Sequence, residues 1–160
     1  MGKGLLIFIG IFWVINATAS SKDKWEYMES IDSFNASITS DNTSAQLLFT
    51  CVKGVDSCTT LMHVPSMRCE GSIHSLAITQ QNSMPIPMYC MAHDGFKLWV
   101  FELEADKLLA FLSMIGASKY LTLSIPLEDS KFFEIRFNLN GSMNAISKVI
   151  SNNAKIILRK

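Results

Sequence analysis

Apolar and polar positions alternate along most of this chain. In Lys131–Leu139, Phe133, Ile135, Phe137 and Leu139 fall on one side and Glu134, Arg136 and Asn138 on the other. Lys119–Leu127 repeats the pattern, with Leu121, Leu123 and Ile125 set against Tyr120, Thr122 and Ser124. A period of two is that of a half-buried strand. The same reading gives strands at Gln46–Val52, Thr59–Val64, Ile73–Thr79, Met84–Ala92 and Phe96–Glu102, and a short exposed strand at Phe34–Ile38. Pro85 and Pro87 lack the amide proton and push the first half of Met84–Ala92 to a sheet edge. Trp25–Tyr27 begins the folded part, with the Trp25 ring as an anchor into the core.

The period changes twice. Leu108, Leu109, Leu112 and Ile115 stand at helical spacing in Glu104–Gly116, with acidic residues at the start and Gly116 as a natural C-cap. After the turn at Asn140–Ser142, where Ser142 can cap a helix, Ala145, Ile146, Val149 and Ile150 form an apolar stripe on a second short helix. The closing Ala154–Lys160 reads as a last strand or a tail. Many short strands with two late helices predict a mainly β fold: an antiparallel β-sandwich or barrel-like sheet with two short helices in the C-terminal half.

The first residues belong to a different pattern. Lys3 precedes an apolar run, Leu5–Ile15, and Ala17-Thr18-Ala19 supplies small residues at a cleavage site. This is the three-part pattern of a signal peptide, and the run falls short of the about 20 apolar residues of a membrane span. Residues 1–19 are therefore expected to be removed, and residues 20–160 to form a single domain that is periplasmic or secreted. That domain carries 13 basic and 14 acidic side chains once Lys3 is gone. A balanced charge gives no footing for nucleic acid.

An oxidising destination decides how the cysteines are read. Cys51, Cys58, Cys69 and Cys90 lie among His63, His74 and His93. A zinc site would need ligand spacings that these residues lack, and a redox site a C-x-x-C pair. Disulfides fit best. Cys51–Cys58 with Cys69–Cys90 is the favoured pairing, since each would join strands that a hairpin brings together; Cys51–Cys90 with Cys58–Cys69 stays open. Met62, Met67, Met84, Met88 and Met91 could hold a soft metal ion but serve core packing more readily. Glu102, Glu104 and Asp106 complement a helix dipole. The sequons at Asn35, Asn42 and Asn140 matter only in a eukaryotic secretory pathway. No catalytic, cofactor-binding or metal residue is assigned, and the chain is expected not to be an enzyme.

Trp25 and Asp32 at the start, Cys51, and the closing Phe137, Leu139, Gly141, Ala145 and Ile146 follow one order of features. In that order the chain resembles small exported β-sandwich proteins of Gram-negative bacteria, among them the type VI secretion-associated TagO/VasI-like family, and is similar in layout to invasion-associated locus B-like proteins. The resemblance implies a periplasmic accessory role: binding another envelope or secretion-system protein, without cofactor. The alternative is a small-ligand or metal-binding domain using His63, His74 and the methionines. The signal-peptide reading has a direct test. Protein recovered from the exported fraction should begin at Ser20, and its thiols should react with alkylating agents only after reduction.

Overall fold

The computed structural model describes residues 24–93, 96–127 and 130–158. They form nine strands, β1 (Glu26–Glu29), β2 (Ser33–Thr39), β3 (Gln46–Val52), β4 (Cys58–His63), β5 (Ser72–Ile78), β6 (Ser83–His93), β7 (Phe96–Phe101), β8 (Tyr120–Pro126) and β9 (Phe132–Asn138). Two helices, α1 (Ala105–Gly116) and α2 (Ser142–Ile157), follow β7 and β9. The strands make one antiparallel sheet in the order β1-β2-β3-β4-β7-β6-β5-β8-β9. The mainly β architecture is as expected, with the sheet open rather than closed into a barrel.

The sheet curls until its two ends approach. The turn after β2 reaches the outer edge of β9 and takes up the backbone groups there. Asp41 donates its N–H to the Arg136 carbonyl at 2.8 Å. The Asn42 side chain then acts as a peptide unit: Nδ2 donates to the Glu134 carbonyl and Oδ1 accepts from the Arg136 N–H, both at 2.9 Å. Trp25 Nε1 donates to the Asn138 carbonyl at 3.0 Å. Groups on alternate residues of β9 are thus satisfied by a loop and a ring in place of a tenth strand, which blunts an edge that could otherwise template aggregation.

The core lies inside the curl. Phe34, Ala36 and Ile38 of β2 enter it with Leu47 and Phe49 of β3, Trp99 and Phe101 of β7, and Ile135 and Phe137 of β9. The helices fill the interior. From α1 come Phe111, Leu112, Met114 and Ile115, with the Phe111 ring edge-on to Phe101 at 5.9 Å. From α2 come Ala145, Ile146 and Val149, packed against β1, β2 and β3. Each such apolar side chain contributes about 1.5–3 kcal/mol by leaving water.

Several local expectations need correction. Phe34–Ile38 is not an exposed strand but part of a buried one, because α2 covers it. A separate edge strand, β1, precedes it. Residues 154–157 are neither strand nor tail: they continue α2, since Asn153 is held by the β3–β4 turn. Asn153 Oδ1 accepts from the Gly54 N–H at 3.0 Å, and Nδ2 donates to the Val55 carbonyl at 2.8 Å. Ser142 is the first residue of α2 rather than its cap; Gly141 holds the cap position with φ of 81°, a left-handed conformation that glycine adopts without steric cost. Gly116 ends α1 from inside the helix, and its missing side chain leaves room for Met143 of α2, whose Sδ lies 2.9 Å from where a Cβ would stand.

Both disulfides take the favoured pairing. Cys51–Cys58 is a cross-strand pair in the β3–β4 register. Cys69–Cys90 pins the long β4–β5 connection to β6, beside a hydrogen bond from the Cys90 N–H to the Gly71 carbonyl at 2.8 Å. On loop closure alone the first contributes about 2.5 kcal/mol and the second about 3.5 kcal/mol. Among the described residues no helix is long and apolar enough to cross a membrane.

Closure of the curl through Asn42 should be measurable. Asn42→Ala removes both side-chain bonds to β9, and urea unfolding should record a loss of about 1 kcal/mol. An unchanged midpoint would mean that the Asp41 and Trp25 bonds suffice.

Candidate functional site

The sheet is not evenly paired. β4 and β7 share only Leu61↔Val100 and Met62↔Trp99 before they part. β6 meets β7 only from Met88 onward, so its first half, Ser83–Pro87, pairs with β5 alone. The Cys90 N–H points to Gly71 on the β5 side, and the Pro87 carbonyl accepts from the Glu102 N–H at 2.8 Å on the other. Pro85 and Pro87 therefore turn their missing amides toward the open side, where the ladder has ended. The local edge expected from the two prolines is present, although β6 lies inside the sheet.

A cleft of about 940 Å³ opens where the strands part. Its walls include Ser57, Cys58 and Thr59 of the β4 end, Met84, Pro85 and Pro87 of β6, and Val100–Glu104 leading into α1. A smaller cavity of about 190 Å³ adjoins it and shares Ser57, Thr59, Tyr89 and Val100 as lining; Thr50, Val52, Leu61 and Met91 complete it. This cavity sits on the sheet face opposite the core. There Leu61, Leu98 and Val100 form a second apolar cluster, 1–7% exposed, with Leu48 and Met91 packed against it. Strand register explains the alignment: Leu48 pairs with Leu61, Leu61 with Val100 and Val100 with Tyr89, so one apolar row crosses four strands on that face. Thr50 is 1% exposed and its Oγ1 has no hydrogen-bond partner.

The residues singled out from sequence are scattered with respect to this cleft. His74 and Met84 line it, and Met91 lines the cavity. Met62 and Met88 are fully buried in the main core, and Met67 packs against it, so the methionines do not converge. His63 and His74 stand on strands separated by β7 and β6, about 14 Å apart at ordinary strand spacing. Among the described residues no three of His, Cys, Asp and Glu are placed to hold a metal ion. Glu102, Glu104 and Lys107 stand at the cleft mouth, and Asp106 lies in the first turn of α1. Trp25, Phe137, Leu139, Ala145 and Ile146 are core residues and Gly141 is the helix cap, so the closing motif shapes the fold and does not touch the cleft. Sequence reasoning missed Thr50, Thr59, Tyr89 and Val100. The signal was there in the unbroken run Leu98–Phe101, which is apolar on both faces where an ordinary surface strand would alternate.

An open, curled antiparallel sheet around two helices defines the class of this protein. A solved structure, that of invasion associated protein B from Bartonella henselae, is similar to it: the TM-score is 0.58 at 11% sequence identity, over 84% of this chain and 97% of that one. At that identity the likeness speaks for the fold alone, and it supports the invasion-associated part of the expected resemblance at that level. No protein-family model matches the chain, and no curated protein matches it.

One titrating group on the β4 face responds to its surroundings. Burial pulls the His63 pKa below its ordinary 6.5. The unfolded chain then binds this proton more readily than the folded one. The contribution to stability is complete above 6.5 and is lost as the pH falls through the lowered folded value. Urea unfolding at about pH 7.5 and about pH 5 should show this decline, and His63→Gln should flatten it.

Proposed function

We propose that this chain is an exported, non-enzymatic accessory protein that binds another protein of the cell envelope. Its compartment in this reading is the periplasm, reached by a leader ending at Ala19, with a component of a secretion system among the candidate partners. The observation that carries the reading is the cleft between β4 and β7. It is open, lined by apolar side chains such as Met84, Pro85 and Phe101 together with polar ones such as His74 and Glu102, and contiguous with the apolar row on the outer face. A surface of that kind favours contact with a partner over turnover of a small polar substrate. The two disulfides support an oxidising destination. An accessory role accords with the name of invasion associated protein B, whose fold this chain resembles.

The test is recovery of a partner and its reconstitution. A tagged chain, cross-linked in the envelope of its native host, should bring down one discrete protein, and the two purified components should rebind at micromolar affinity or tighter. Turnover of a small substrate that is abolished by a single substitution would overturn the reading.

A further inference from the structure

We infer that Met143 is a site of reversible oxidation: a peroxide converts the thioether that latches α2 onto α1 into a sulfoxide, and the junction of the two helices loosens. This is independent of the accessory-protein reading, since the cavity that Met143 lines shares no residue with the β4–β7 cleft. Met143 is 39% exposed, whereas the other described methionines are half-buried or buried. A thioether is oxidised where the oxidant reaches it, so susceptibility follows access. Met143 is the second residue of α2 and stands on the wall of a cavity of about 520 Å³, which Ser118, Lys119 and Asn144 also line. α2 begins without a side-chain cap. Its leading N–H groups, which a helix cannot satisfy internally, are left to that side. In the reaction the Sδ lone pair attacks one peroxide oxygen and the O–O bond breaks as the S–O bond forms. The departing hydroxide takes the proton of the transferred hydroxyl and leaves as water. Sulfur is oxidised by two electrons and the peroxide is reduced by the same two. Donors on the cavity wall, Lys119 among them, favour the departure of the charged oxygen.

The consequence follows from where the sulfur sits. The Met143 side chain lies over the last residue of α1, with Sδ and Cγ 2.9 and 3.0 Å from where a Cβ at Gly116 would stand. Only a glycine leaves the thioether that position. The two helices touch sparingly, and this apolar contact is one of those that join them. Oxidation makes the sulfur pyramidal and gives it a strongly accepting oxygen. That oxygen has no room on the Gly116 side and no donor there. On the cavity side it meets the Lys119 ammonium and the start of α2. The side chain therefore swings off α1 and turns its oxygen to the cavity, as a flexible thioether chain allows. A sulfoxide is returned to the thioether by methionine sulfoxide reductases, so the change is reversible.

The experiment exposes the mature chain, both disulfides intact, to limiting hydrogen peroxide and follows each methionine by mass-spectrometric peptide mapping. Met143 should be converted first, about tenfold faster than the buried Met62 and Met88. The thermal midpoint of the singly oxidised chain should fall by about 3 °C and recover after treatment with methionine sulfoxide reductases. Two variants, checked for folding by circular dichroism, separate the latch from oxidation in general. Met143→Leu keeps an apolar contact without sulfur and should lose the peroxide-dependent shift. Gly116→Ala drives the thioether off α1 beforehand; Met143 should still oxidise, but with little further fall in the midpoint. Conversion of another methionine first, or of all at one rate, would overturn the inference. So would a midpoint indifferent to oxidation of Met143, a shift that persists in Met143→Leu, or an undiminished shift in Gly116→Ala. The first two readouts need no variant, so they decide the matter even if neither substitution folds.

Discussion

Backbone hydrogen bonding at the edges governs this structure more than any single side-chain contact. A nine-stranded antiparallel sheet leaves polar groups exposed wherever a ladder ends, and several of the endings have their own solution here. At β9 the Asn42 amide stands in for a peptide, flanked by the Asp41 N–H and the Trp25 indole. At the first half of β6 two prolines remove the donors. At β1 the edge is four residues long and carries Glu26 and Glu29. The β4–β7 and β5–β8 ladders also stop short, and the cleft lies where β4 and β7 part.

The curl that brings β2 near β9 also creates the volume that the helices occupy. α2 is tied at both ends: Gly141 turns the chain directly from β9, and Asn153 clasps the β3–β4 turn. Through that clasp the helix supports the same turn that leads into β4. Cys51–Cys58 holds the turn from within. The turn is thus held by the helix on one side and by the crosslink on the other.

Much of the fold was legible because alternation is a local property. Phe133, Ile135 and Phe137 fixed the inward face of β9, and the spacing of Leu108, Leu112 and Ile115 fixed α1. Pairing of the cysteines followed from hairpins that the turns at Gly54 and Asn82 made visible. What escaped were consequences of distant contacts. Phe34–Ile38 looks polar enough to be a surface strand, and only α2, more than a hundred residues later, buries it. Asn42 reads as an ordinary turn residue or a sequon, since its partners lie on β9. The cleft was invisible for a different reason. It arises where β4 and β7 cease to pair, and no residue pattern marks the end of a ladder between strands that are not neighbours in sequence.

The Cys69–Cys90 bond carries a consequence for how the molecule comes into being. Residues 64–71 make a long connection with few regular backbone bonds, and the disulfide anchors it to β6. A chain held in a reducing medium lacks both crosslinks, and by loop closure gives up about 6 kcal/mol, a large fraction of the stability of an ordinary domain. Its maturation is thus an electron-transfer event as well as a conformational one: each bond hands two electrons to an external acceptor. The supply of that acceptor sets when the chain becomes durable, and keeps the newly made polypeptide pliable until then.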